Sequence, residues 1–134
     1  MIHDDVIYIT EKDYLRIKNV LSYHESSDFE NLELELDRAN IIADNEVTRE
    51  LVTMNSKVRF LNLSNSKEME ITIVYPSDAN FKEGKVSVLA SLGSALLGLR
   101  VGQEINWMFP DGSTKRLRIL EVLYQPEANE DWHL

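Results

Sequence analysis

Two rhythms of apolar spacing run along this 134-residue chain. Up to about residue 45 the apolar positions recur at three- and four-residue steps, the period of a helix; beyond about residue 57 they mostly alternate, the period of a strand. The front opens on Val6-Ile7-Tyr8-Ile9, a short β-prone run. Thr10 then offers a helix N-cap, with Glu11 and Asp13 in the first turn, where acidic groups suit the helix dipole. Tyr14, Ile17 and Leu21 fall on one face, and Tyr23 to Ser27 reads as a polar turn. Ser27-Asp28-Phe29-Glu30 has the form of a capping box, and Phe29, Leu32, Leu36, Ala39 and Ala43 repeat like a coiled-coil seam flanked by Ile42. The spacing predicts two helices of about 14 and 17 residues in an antiparallel hairpin ~20–25 Å long. It either covers one face of the domain or projects as an arm with an acidic tip at Glu25, Asp28 and Glu30.

The back reads as a sheet. Residues 57–63 and 69–75 are strand-like runs around the turn Ser64-Asn65-Ser66, and Pro76 closes the pair. In the first run Val58 and Phe60 share one parity while Leu61 and Leu63 share the other, which predicts a bulge. Residues 85–90 form a short strand with Val86 and Val88 inward; residues 91–97 make about two helical turns ended by Gly98. Ile105, Trp107 and Phe109 alternate up to the turn Pro110-Asp111-Gly112-Ser113, and residues 114–124 return as a long strand. A parity change there predicts a second bulge or a strong twist near Ile119. The expected fold is α+β: a short N-terminal antiparallel helical hairpin, residues 1–48, and a twisted antiparallel sheet with one short helix, residues 49–134.

Charge sharpens the division. Residues 1–50 carry 5 basic and 13 acidic side chains against 9 and 10 in the remainder, so the net charge of −9 is concentrated in the front. Such a chain repels phosphate backbones and anionic lipid, which argues against sequence-specific DNA binding and against membrane association. No apolar run approaches the ~20 residues of a membrane span, and the start lacks the basic and apolar regions of a signal peptide, so a cytoplasmic location is expected. With no cysteine there is no thiolate chemistry and no Cys-based zinc site. His3, His24 and His133 fall in no metal-ligand spacing, and no phosphate-binding glycine motif or nucleophile elbow is present. No catalytic residue, metal or cofactor is expected. Lys57, Arg59, Lys115, Arg116 and Arg118 suggest a mildly basic sheet surface, either a solvated strand face or a protein-contact patch. From the residues alone the chain is a non-enzymatic, acidic, two-part interaction protein, with monomer as the default state.

More specific text lies in the second part. Ala95-Leu96-Leu97-Gly98-Leu99-Arg100-Val101-Gly102, Pro110-Asp111-Gly112 and Leu120-Glu121-Val122-Leu123-Tyr124-Gln125-Pro126-Glu127-Ala128 resemble the C-terminal domain shared by Gre transcript-cleavage factors and their relatives. Within that superfamily, Val52-Thr53-Met54-Asn55-Ser56, Val74-Tyr75-Pro76 and Glu35-Leu36-Asp37-Arg38-Ala39 are most similar to the Rnk branch, the bacterial regulators of nucleoside diphosphate kinase. The resemblance implies an FKBP-like C-terminal domain behind a coiled-coil arm, and binding of RNA polymerase at its secondary channel. It implies a rim-contact loop at Ala90, Ser91, Leu92 and Gly93, where Gre factors usually have Ser-Pro and Rnk relatives Ala-Pro; Ser91 replaces that proline. Gre arms carry acidic tip residues to the catalytic magnesium. An arm of about 40 residues is too short to do so, which predicts competition with Gre factors without transcript cleavage. Any influence on nucleoside diphosphate kinase levels would be indirect. Two alternatives stand beside this reading: a general interaction module with another partner, and a peptidyl-prolyl isomerase whose proline pocket Trp107, Phe109 and Phe60 line if their face is not the core.

Overall fold

The computed structural model describes residues 6–23, 30–108, 111–132 and 134, with backbone alone for Glu30 and Asn31. A strand β1 (Tyr8–Thr10) runs straight into helix α1 (Glu11–Leu21). The Thr10 backbone is extended, and its Oγ1 accepts the Asp13 N–H at 3.0 Å, the cap expected from sequence. Ile17 and Leu21 are buried along the expected face. Helix α2 (Glu30–Arg38) buries Leu32 and Leu36 beside them, and Lys18 of α1 pairs with Asp37 of α2 at 2.9 Å.

Both helices are shorter than the spacing predicts. The seam ends at Leu36: Ala39 bends and Ala43 is exposed. Asn40–Ile42 is instead a strand, β2, paired in parallel with β1. Two β-branched residues at 41 and 42 favour extended backbone, and the Asn40 N–H goes to the Ile7 carbonyl at 3.0 Å. A long-range ladder thereby takes the donors that a further helical turn would have used.

The larger sheet holds β3 (Lys57–Asn62), β4 (Lys67–Val74), β5 (Lys85–Ser87), β6 (Glu104–Met108) and β7 (Thr114–Tyr124) in the order β5-β4-β3-β7-β6. Its pairs are antiparallel except β4 with β5, which is parallel and corrects the all-antiparallel expectation. The ten residues between them fold back along the outer side of β5, so that strand restarts in the direction of β4. The irregularity near Ile119 is real: Phe60 faces Ile119, but Arg59 faces Glu121, leaving Leu120 over. The bulge expected on β3 is absent. Val58, Phe60 and Asn62 keep one parity, because the Asn62 side chain turns inward and its Oδ1 accepts the Ser64 N–H at 2.9 Å.

Helix α3 (Ser91–Leu96) covers the sheet with Ala95 and Leu96. One apolar cluster then runs from Ile17, Leu21, Leu32 and Leu36 of the two helices to Phe60, Ile73, Leu99, Ile105 and Leu117 of the sheet region. Short helices are marginal alone, and this shared core is what holds them. No helix among the described residues is long and apolar enough to cross a membrane.

Candidate functional site

The loop from β5 into α3 lacks that proline and is held by hydrogen bonds. Val88 N–H bonds the Val74 carbonyl, Ser87 Oγ accepts Leu89 N–H at 3.1 Å, and Ala90 N–H bonds the Ser87 carbonyl at 3.0 Å. Ala90 is the N-cap residue of α3, at φ −72° and ψ 150°, and supplies no side-chain cap. Ser91 is therefore the first helical residue, where proline is tolerated because that N–H has no helical acceptor. Gly93 sits under the loop; a Cβ there would stand 2.3 Å from the Ser87 carbonyl oxygen, so only glycine lets α3 press this close. Of the four expected rim residues, Ala90 is exposed, Ser91 and Leu92 are half-buried, and Gly93 is buried. The first three can meet a partner; Gly93 can only shape the loop that does.

The expected arm tip is described only in part. Glu25 and Asp28 lie outside the described residues, and Glu30 is the first described residue of α2. His3, His24, His133 and Phe109 also lie outside them. Among the described residues no group of three or more histidines or carboxylates is arranged to hold a metal.

The root of the helices is described fully, and it is a buried polar joint. Asp13 is 1% exposed; its Oδ2 accepts Met54 N–H at 3.0 Å, and Tyr75 Oη donates to its Oδ1 at 3.4 Å. Burial pushes the Asp13 carboxyl up to about 6, against the Met54 N–H that favours its anion, and the nearby Glu127 carboxylate pushes the same way as burial. Burial, and after it the Asp13 charge, also raises the Tyr75 phenol. Lys12 Nζ lies 3.5 Å from Glu127, 3.7 Å from Asp44 and 3.1 Å from the Trp132 carbonyl. Thr53 Oγ1 donates to Glu127 at 2.6 Å and accepts from Gln125 Nε2, which also donates to the Leu51 carbonyl at 2.7 Å. Gln125 Oε1 in turn accepts the N–H groups of Glu127 and Ala128. Thus the 52–56 segment and the Gln125-Pro126-Glu127 segment meet in one cradle, into which the first turn of α1 inserts Asp13.

Sequence reading gives Asp13 a dipole role alone. One signal of its burial is there: Asp13 sits next to Tyr14 and four residues before Ile17, on the edge of the apolar stripe. Gly98 completes the root. Its φ is +84°, and a Cβ would stand 2.9 Å from that of Ile7, while its carbonyl accepts Tyr8 N–H at 3.1 Å.

The basic sheet surface is neutralised. Arg59 pairs with Glu70 at 2.9 Å and Glu121 at 3.3 Å, its cross-strand neighbours on both sides. Glu104 takes Arg116 at 2.8 Å and Arg118 at 2.6 Å, and these two guanidiniums hold its carboxyl below the usual range, Arg118 most strongly. This is a solvated face of mutually paired charges. Phe60 and Trp107 are buried, 1% and 3% exposed, so these two belong to the core and line no open proline pocket.

Comparison with known proteins gives this chain its relatives. Residues 47–124 match the family described as transcription elongation factor, GreA/GreB, C-term. The chain is 46% identical over 103 residues to the regulator of nucleoside diphosphate kinase of Escherichia coli, covering 77% of this chain and 76% of that protein. It is 32% identical over 110 residues to the transcription elongation factor GreA of Acetivibrio thermocellus, covering 82% and 68%. A solved structure of a prokaryotic transcription elongation factor GreA/GreB from Nitrosomonas europaea superposes with a TM-score of 0.74 at 41% identity, over 90% of this chain and all of that one. The 52–56 side of the cradle, the β5–α3 loop and the five-stranded sheet lie within the matched residues, Asp13 and Gln125-Pro126-Glu127 lie outside them, and the chain belongs to the GreA/GreB C-terminal family.

Proposed function

We propose that this protein is a cytoplasmic transcription regulator that docks on RNA polymerase at the secondary channel, competes there with Gre-type factors, and does not stimulate transcript cleavage. In this reading residues 49–134 are an FKBP-like docking domain, and residues 1–48 are an antiparallel helical arm. The observation that carries it is the superposition on a GreA/GreB structure over 90% of the chain. Membership of this family makes the chain a transcription-elongation-factor-like regulator.

Two physical points support the finer reading. The loop Ala90-Ser91-Leu92-Gly93 is held by backbone bonds and by the close approach of Gly93, so it presents Ala90, Ser91 and Leu92 to a partner in one conformation. Helix α1 spans 11 residues, about 16 Å at the α-helical rise, and an arm built from residues 1–48 is too short to reach deep into a channel. The acidic front suits a basic channel entrance without reaching its centre.

The test is binding of the purified protein to core RNA polymerase with a Gre factor as competitor. Competed binding is expected, with no cleavage of backtracked complexes. Binding without competition moves the site; no binding at micromolar concentration removes the polymerase reading and leaves an interaction module for another partner. Robust cleavage would refute the short-arm argument.

A further inference from the structure

The turn before β5 carries a side chain that the fold does not use. Phe81 is 87% exposed, more than any other large apolar side chain among the described residues. It does not sit on a loose loop. Asn80 and Lys85 exchange both backbone bonds at 2.9 Å, Glu83 N–H returns to the Asn80 carbonyl at 3.0 Å, and Gly84 N–H to the Phe81 carbonyl at 3.0 Å. Asn80 Nδ2 donates to Glu83, and Gly84, at φ +73°, closes the turn while its carbonyl accepts Thr72 N–H from β4 at 2.8 Å. The ring is thus displayed on a short, closed turn tied to the sheet. Leaving a phenylalanine in water forgoes its burial energy, and aromatic side chains held rigidly are the usual anchors of protein interfaces.

Charge indicates what meets it. Residues 79–103 contain Lys82, Lys85 and Arg100 against Glu83; Lys85 pairs with Glu83 at 3.7 Å and Arg100 lies over the Tyr8 ring at 5.1 Å, so Lys82 is the cation beside Phe81. The segment runs from the Phe81 turn through β5 and the Ala90–Gly93 loop. The three residues of β5 separate the two, about 10 Å of strand, well within one standard interface.

We propose that Phe81 is the apolar anchor of the polymerase-docking face, seated in an apolar socket of the polymerase that is bordered by carboxylates, with Lys82 beside it. The inference rests on the docking reading above and adds the residue that dominates affinity. The experiment measures affinity of the full chain for core RNA polymerase, with a Gre factor as competitor, for wild type, Phe81→Ala, Lys82→Glu and the control Met69→Ala on the open sheet face. Phe81→Ala is expected to melt as wild type does and to bind about 10- to 30-fold more weakly. Lys82→Glu is expected to bind about fivefold more weakly at low salt, with the gap closing at high salt. Met69→Ala should stay within about twofold of wild type. Competed wild-type binding with Phe81→Ala also within twofold overturns the anchor and leaves the docking reading standing. Equal losses for Phe81→Ala and Met69→Ala overturn it as well. Absence of wild-type binding ends the docking reading and the anchor together.

Discussion

The joint at the root of α1 and the open face of β3, β4, β6 and β7 use polar and charged side chains to opposite ends. On the open face, Arg59, Glu70, Glu121, Glu104, Arg116 and Arg118 form a ladder across neighbouring strands, each within reach of water. Solvent screens such pairs, and a lost partner is replaced by hydration. At the joint, Asp13, Thr53, Gln125 and Glu127 are all buried, and their partners are backbone groups, one another, and the side chains of Ser56, Tyr75 and Lys12. There a lost partner leaves a dry donor or acceptor, which costs the full desolvation of that group. An ion-pair tally would rank the open face as the stronger region; burial reverses the ranking.

Substitutions can break this comparison. Asp13→Ala should have the largest effect, a loss of about 3 kcal/mol in denaturant unfolding, because Met54 N–H loses its acceptor inside the core. A loss below about 1 kcal/mol in that measurement would mean the joint behaves like a surface.

The Asp13 carboxyl supplies a pH test. Its folded value of about 6 lies above its ordinary 3.8, so the folded state binds this proton more tightly than the unfolded chain does. This group therefore adds stability as pH falls through 6, and the addition is lost as pH rises through it. Between pH 7 and 5 the contribution is on the order of 1–2 kcal/mol, and Asp13→Asn, which keeps an acceptor for Met54, should abolish it while staying within about 1 kcal/mol of wild type at pH 7. Equal pH slopes for wild type and Asp13→Asn, followed by equilibrium unfolding, would assign the titration to another group.

Thr53→Val tests the other half of the cradle. It preserves shape but removes the hydroxyl between Glu127 and Gln125, with an expected loss of about 2 kcal/mol. A near-neutral result would show that the two side chains pair directly once the hydroxyl is gone. Arg59→Ala should be the mildest, leaving Tm within about 2 °C of wild type, and by less still in high salt. A larger, salt-insensitive drop would mean that the guanidinium stem covers apolar surface.

Local signals made much of the fold legible. Thr10 had both cap chemistry and an apolar stripe behind it, so α1 began where the residues predict. The parity change after Ile119 marked the irregularity of β7. The same rule misread β3, where Leu61 and Leu63 suggested a flip, but Asn62 could turn inward once its amide found Ser64. The seam through Ala39 and Ala43 misled for a related reason: alanine fits a helix and a bend alike, and the choice fell to the distant Ile7 carbonyl. Of the candidate site, the β5–α3 loop was legible through its resemblance, whereas the burial of Gly93 and the display of Phe81 were not.

Periods, caps and turn residues, each an interaction within a few positions, gave this sequence its element types, its acidic front and its family text without any coordinates. The tertiary structure alone decided the parallel pairing of β1 with β2 and of β4 with β5, and the neutralisation of Arg59 by carboxylates from two other strands. It alone also placed Asp13 against residues more than forty positions away. The reason is physical: hydrogen bonds to distant backbone and removal from water depend on where the chain returns, and no local spacing encodes the desolvation that a residue meets there.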